Sequence, residues 1–530
     1  MHSNTLSPTV QSGETLSVET AKTRKYSRLW TIGFWLIVAA GIFLRFYKID
    51  QREYWCDESF TSITVSGHTR QEFNERLLTG KPVRVRDMRV FESTQGPRSG
   101  CLRDLLYKGG QHPPLYYGLA RLWAERFGCS VAAMRSLPAI LSVLVLPAAY
   151  WLCMELFQST PVARIAVALL AISPNQVLYA QDAREYSAWL LLITIGCACL
   201  LKCLRQPSVK SWLVYSAVIV LGFYTFPLTA AVAAGQSIFV LCTQGLRRGK
   251  LFFSQLGALL LAGLLCIPWA LAMIANHEAA ARNLSYLEAK ISTTGLVKSW
   301  NYIFDSIFVD FPLGGFKLAT SLTLFGIAAI AGYILVRRAE RKTCVFLMCL
   351  VASSTLPFVV PDLLFRTSHS TIFRYMMPAV LGAIIVIAFA TNGLIQSTSR
   401  AIRIAGGVLL AGLVTVGTAS CLYNSTIGRH YQCSIGVDIN AIATAVNAAD
   451  VPLFIDNAEH FSGQVETLCR LLNDDVILFA SAGPEILPIP DQYSRVCLYS
   501  PAPEARIVTS PYFDFNRTSV HFGTLTRRAF

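Results

Sequence analysis

Residues 29–60 read LWTIGFWLIVAAGIFLRFYKIDQREYWCDESF: an apolar run broken only by Arg45, a short polar turn, and then two adjacent acids, Asp57 and Glu58. An apolar segment of this length crosses the ~30 Å hydrocarbon core as a helix. The acids that follow within about a dozen residues therefore sit at a membrane surface.

The pattern recurs along the chain. Of its 530 residues, 53% are hydrophobic and only 15% charged, too apolar a balance for an ordinary soluble protein. A bilayer admits helices or closed barrels, and runs that are continuous rather than alternating select helices. About eleven spans are expected, at Leu29–Phe46, Val131–Phe157, Val162–Ala180, Tyr186–Leu204, Trp212–Tyr224, Pro227–Cys242, Leu251–Ile274, Ala319–Val336, Cys344–Val360, Met376–Thr391 and Ile404–Tyr423. The fifth and sixth are short and separated only by Thr225-Phe226-Pro227.

The net charge of +14 does not point to nucleic acid, because Lys and Arg fall in short clusters between apolar runs. Lys22, Arg24, Lys25 and Arg28 precede the first span. Later clusters are Arg164; Lys202, Arg205 and Lys210; Arg247, Arg248 and Lys250; Arg337, Arg338, Arg341 and Lys342; and Arg400 and Arg403. Counted over eleven spans they share one side, which the positive-inside rule makes cytoplasmic. Residues 47–130, 181–185, 275–317, 361–375 and everything after Tyr423 then lie outside. His112–Phe127 carries Arg121, Glu125 and Arg126 and reads as an interfacial amphipathic helix.

Residues 1–28 are Ser/Thr-rich and read as a disordered cytoplasmic tail with no signal-peptide cleavage site. Past Tyr423 the apolar runs stop. Val451–Ile455 and Val476–Phe479 are expected as strands and Ser462–Leu472 as a helix, giving a small α/β-like extracytoplasmic domain over 424–530. Among fifteen cysteines there is no CxxC, and Cys197, Cys199 and Cys203 fall inside a span as packing residues.

Four polar groups collect on the outer side. Asp57-Glu58 suits a general base or a metal ligand, and equally the first turn of a helix, where acids are favoured. In Gln111-His112-Pro113-Pro114-Leu115-Tyr116-Tyr117 the prolines fix the backbone ahead of a helix and present His112 at the surface. Gln181-Asp182-Ala183-Arg184-Glu185 is wedged between two spans with almost no loop, where charges are functional candidates or form a plain ion pair. Arg366 and Arg374 precede a late span. Their forked guanidinium suits phosphate, or else snorkels at a helix end.

This set, with YWCDESF after the first span, HPPLYY before a surface helix, SPNQVLYAQDAREYS between two spans and RYMMP before a late one, resembles the polytopic GT-C glycosyltransferases. It is most similar to the bacterial branch of the dolichyl-phosphate-mannose protein mannosyltransferase and lipid A aminoarabinose transferase group, over roughly residues 29–423. The resemblance implies an all-α polytopic membrane fold with juxtamembrane helices. It implies transfer of a sugar from a polyprenyl-phosphate carrier to a lipid, glycan or protein acceptor outside the cytoplasm, usually with inversion. Asp57 matches the proposed base, with Glu58 beside it. Asp182 matches an acid near the acceptor or a metal. His112, Arg184 and Arg374 match positions near the donor phosphate, and Tyr116, Tyr117, Tyr186 and Arg366 are expected to line the substrate. No cofactor is implied with certainty, and a divalent metal at Asp57 or Asp182 stays open.

The chain departs from the group at Tyr224-Thr225-Phe226, where relatives often carry Tyr-Thr-His, and no motif is matched between Ala275 and Lys317. The insert Arg70–Gly110, with Arg84, Arg86, Arg89 and Arg98, is expected to cover the donor head group or meet anionic lipid. A transporter or lipid flippase would place charges near mid-membrane and show inverted repeats, neither of which is evident. A non-catalytic scaffold would need none of the outer acids.

Overall fold

The computed structural model describes residues 12–107, 110–245, 249–427, 438–459, 461–483, 488–500, 513–519 and 521–528. Among them, eight helices are long and apolar enough to cross a membrane: Arg28–Phe46, Val131–Phe157, Tyr186–Arg205, Gly249–Ala275, Gly314–Arg338, Arg341–Phe365, Phe373–Ile395 and Arg400–Asn424. Val209–Thr225 and Thr229–Gln244 are shorter, about 25 Å each at 1.5 Å per residue. They part at Phe226, whose extended backbone is what a following proline imposes. All eleven expected spans thus fall on helices. The basic connection at Arg247 and Arg248 lies outside the described residues.

Two expectations are corrected. The first helix begins at Ser12, so residues 12–28 are not a coil. Once the apolar span has formed, adding residues at its end needs no new nucleus. The third span is broken as well: Thr160–Ala171 and Pro174–Ala180 meet at 61°. Pro174 has no N–H to donate, and the preceding Ser173 is extended.

The carbonyls stranded at this break are satisfied from another helix. Arg45, 1% exposed, donates to Ala171 O at 2.7 Å and Leu170 O at 3.3 Å, and its Nε reaches Ser142 Oγ at 2.9 Å. Gly41 lets the two helices approach this closely, since a Cβ there would stand 2.5 Å from Ala171 O. The single charge in the opening apolar run is therefore a cap for a helix distant in sequence.

Outside the membrane helices lies a six-stranded sheet. Its strands are β1 (Val83–Arg84), β2 (Leu453–Ile455), β3 (Ile477–Ala480), β4 (Arg495–Tyr499), β5 (Phe513–Arg517) and β6 (Phe522–Arg527), in the order β1-β3-β2-β4-β6-β5. The central β3-β2-β4 are parallel and the outer pairs antiparallel. Both expected strands and the helix Ser462–Leu471 are present. The expected boundary at residue 424 does not hold for the sheet, because β1 comes from the first outer loop. Phe73, Leu77, Val85, Met88 and Phe91 of that loop share a core with Ile442, Val446, Leu468 and Leu478.

Three of the four arginines of the insert reach the same junction. Arg86 pairs with Asp475. Arg89 reaches Asp474 at 2.9 Å and the carbonyls of Cys469 and Leu472 at 3.0 and 2.7 Å. Arg84 lies 3.9 Å from Asp475, and Arg98 pairs with Glu125 of the helix Pro114–Phe127. Arg89 is the most enclosed of the four, while Arg84, Arg86 and Arg98 keep about half or more of their side chains exposed.

Candidate active site

The helix Cys56–Ser66 starts at the acidic pair, and its first turn separates the two carboxylates. Glu58 turns inward. The Trp55 N–H donates to its Oε2 at 3.2 Å and the Ala183 N–H to its Oε1 at 2.8 Å. Arg135, from the span Val131–Phe157, grips both oxygens at 2.7 and 2.6 Å, and neither side chain is exposed at all. A sealed, doubly bonded carboxylate cannot meet a substrate, so Glu58 is a positioning residue and not a second acid of the site. It fastens the juxtamembrane helix to a span and to the 181–185 loop.

Asp57 points the other way, and its side chain is 21% exposed. Its Oδ2 lies 3.8 Å from Arg374 Nη2, within Coulombic reach but beyond a hydrogen bond, so the carboxylate can still accept from a hydroxyl. Its backbone carbonyl accepts from Arg184 at 3.1 Å.

The 181–185 loop divides its charges in a similar way. Asp182 is fully buried against Arg52 at 2.6 Å, and Arg52 also reaches Leu178 O and Gln181 O. Gln181 in turn donates to Leu44 O at 3.0 Å. Asp182 thus anchors the loop to the end of the first span and is not presented to substrate. Arg184 and Glu185 face the opposite side. Glu185, itself fully buried, lies 3.0 Å from His112 Nδ1, accepts from Tyr117 OH at 3.1 Å and pairs with Arg184 at 3.3 Å. Burial alone would raise the Glu185 carboxyl, but Arg184 and His112 outweigh it and hold it at about 2. Burial and Arg184 keep the His112 imidazole below its ordinary value, against Glu185. Arg184 Nη2 also lies 3.3 and 3.4 Å from the two ring nitrogens of His112.

Arg374 closes the cluster. Three rings flank its guanidinium, those of Trp55, Tyr186 and Tyr375, at 5.8, 5.7 and 5.5 Å, and it donates to Tyr286 OH at 3.2 Å. The loop that carries it is folded around Asp362, a buried carboxylate that accepts from Thr367 Oγ1 and from the N–H groups of His369 and Ser370 at 2.6, 3.0 and 2.6 Å.

Of the expected site residues, Asp57, His112, Arg184, Arg374, Tyr117 and Tyr186 come together. Arg366 does not: it is an exposed residue in the left-handed region at the end of Arg341–Phe365, outside the cluster. Tyr116 is fully buried edge-on to Tyr117 and packs behind it. Sequence reasoning missed Glu185, although it lay within a quoted motif, and Tyr286, Arg135 and Arg52, for which no signal stood out.

Asp57 and Asp182 do not make a metal centre. Each has an arginine at hand where a cation would need the charge, and no group of three His, Cys, Asp or Glu among the described residues is placed to hold an ion.

Residues 111–271 match the family model described as dolichyl-phosphate-mannose-protein mannosyltransferase. No curated protein matches the chain. Among solved structures, ArnT from Cupriavidus metallidurans bound to undecaprenyl phosphate superposes with a TM-score of 0.57, at 11% identity, over 94% of this chain and 98% of that one. The same protein in its apo state gives 0.55 over the same shares.

Proposed function

We propose that this integral membrane protein of the GT-C fold is a glycosyltransferase that moves a sugar from a polyprenyl-phosphate donor to an acceptor at the extracytoplasmic face, with inversion. The observation that carries the reading is an accessible carboxylate, Asp57, with Arg374 3.8 Å from its Oδ2, Arg184 on its backbone carbonyl and His112 beside Arg184. The side on which they converge is assigned extracytoplasmic by the basic clusters at the opposite span ends.

Asp57 takes the proton of the acceptor hydroxyl as its oxygen bonds to the anomeric carbon. The bond from that carbon to the phosphate oxygen breaks, and the polyprenyl phosphate leaves with the electron pair. Its growing charge is met by Arg374 and Arg184, whose forked donors suit phosphate oxygens. Buried and held by fixed partners, they need little rearrangement as charge develops. His112, its ring fixed by Glu185 and set against Arg184, borders the place where the donor phosphate would lie. The rings of Trp55, Tyr186 and Tyr375 hold the Arg374 guanidinium in place for the phosphate. The sugar leaves a polyprenyl carrier that the membrane itself delivers.

The test is Asp57→Asn in proteoliposomes supplied with radiolabelled polyprenyl-phosphate sugars. Removal of a general base is expected to slow transfer by roughly two to four orders of magnitude, with donor binding retained. Near-normal turnover by this variant would sink the assignment.

A further inference from the structure

A cavity of about 340 Å³ opens where the 275–317 loop meets the end of the last span. It lies away from the Asp57 cluster and touches that region only through Arg52. Its wall is largely apolar, from Leu178, Val309, Phe311 and Leu313, yet it includes two carboxylates, Asp305 and Asp310. Asp305 is costly where it stands. It is 5% exposed, and it ends the helix Thr293–Asp305, where the helix dipole repels an anion. Ser321 Oγ donates to Oδ2, while Oδ1 is buried with no hydrogen-bond partner. Asp310 lines the same cavity: Tyr302 OH donates to its Oδ1 at 3.2 Å and Asn424 Nδ2 to its Oδ2 at 2.7 Å. Burial raises both carboxyls, only partly offset at Asp305 by Ser321 and Lys317, and an arriving cation would relieve the rest. Lys317, exposed at the first turn of the next span, supplies a positive charge at the rim.

We propose that this cavity binds the headgroup of a zwitterionic membrane lipid carrying a primary ammonium, with the ammonium on the acidic wall and the phosphate toward Lys317. Tyr423 and Ile427 at the cavity, and Phe316 and Leu318 flanking Lys317, are exposed apolar residues along which the glycerol and acyl chains would lie. An ammonium donates up to three hydrogen bonds, to the spare lone pairs of Asp310 and to the unpartnered Asp305 Oδ1 once that side chain turns toward the cavity. A trimethylated headgroup has the charge but no N–H, and a glycerol headgroup has donors but no charge. The inference stands apart from the transfer reading.

Native mass spectrometry of the full chain, released from nanodiscs of mixed phosphatidylethanolamine, phosphatidylcholine and phosphatidylglycerol, reads the retained lipid directly. The expected result is phosphatidylethanolamine favoured over phosphatidylcholine by roughly tenfold or more, as for hydrogen bonds to a charged group. Asp305→Asn should bring that ratio close to one. Equal retention of the two lipids by the unaltered protein overturns the proposal without any variant. So does retention of phosphatidylglycerol matching that of phosphatidylethanolamine, or an undiminished preference in Asp305→Asn.

Discussion

Glu58 and Arg135 offer the sharpest test of how the two adjacent acids divide their work. Both side chains are fully buried and joined by two short bonds, and Arg135 also donates to the carbonyls of Ile49, Arg52 and Glu53 at 2.8–2.9 Å. Removing one partner of such a pair leaves an uncompensated buried charge, at a cost of about 3–5 kcal/mol. Arg135→Met also strips three carbonyls of their donor and should fall at the upper end of that range or beyond it. Glu58→Gln keeps an acceptor for the Ala183 N–H and should fall at the lower end. The double variant removes both charges and should cost less than the sum, with a coupling of about 2–3 kcal/mol. The measurement is denaturant unfolding of the purified protein in lipid nanodiscs, followed by tryptophan fluorescence, with transfer assayed in parallel. The reasoning fails if Glu58→Gln is as stable as the unaltered protein yet inactive, since that would place Glu58 in the chemistry.

Arg374→Lys keeps the charge but loses the planar fork among three rings, so kcat should fall roughly tenfold or more, with donor KM less affected. His112, held below its ordinary value, binds fewer protons folded than unfolded. Stability should therefore fall as pH drops below about 6.5, and His112→Gln should flatten that slope in thermal unfolding. Arg45→Leu leaves the carbonyls of Leu170 and Ala171 without their donor and should cost about 2–6 kcal/mol, read as an earlier unfolding midpoint.

The membrane helices were legible because an uninterrupted apolar run has few alternatives to spanning. The bend at Pro174 was foreshadowed by the proline itself, but its angle depends on Arg45 and Gly41, which belong to another helix. Asp57 and Glu58 are chemically near-equivalent in sequence. Their opposite fates come from about 100° of helix rotation between neighbours, and from Arg135, 77 residues away. The same limit explains Asp182, whose partner Arg52 lies 130 residues earlier. Tyr286 reaches Arg374 from a loop without regular pattern, and β1 is only two residues long, too short to show the alternation that marks a strand.

That two-residue strand has a consequence for how the protein is made. Val83 pairs with Leu478, about 400 residues later, so at ~5–20 residues per second the first loop waits roughly 20–80 s for its partner. In that interval Phe73, Leu77, Val85, Met88 and Phe91 lack the surface that covers them. The nascent chain is therefore most vulnerable to proteolysis and aggregation near its beginning, until synthesis has nearly reached its end. A premature stop codon beyond residue 424 would spare every membrane helix and still leave the loop next to Asp57 without its support.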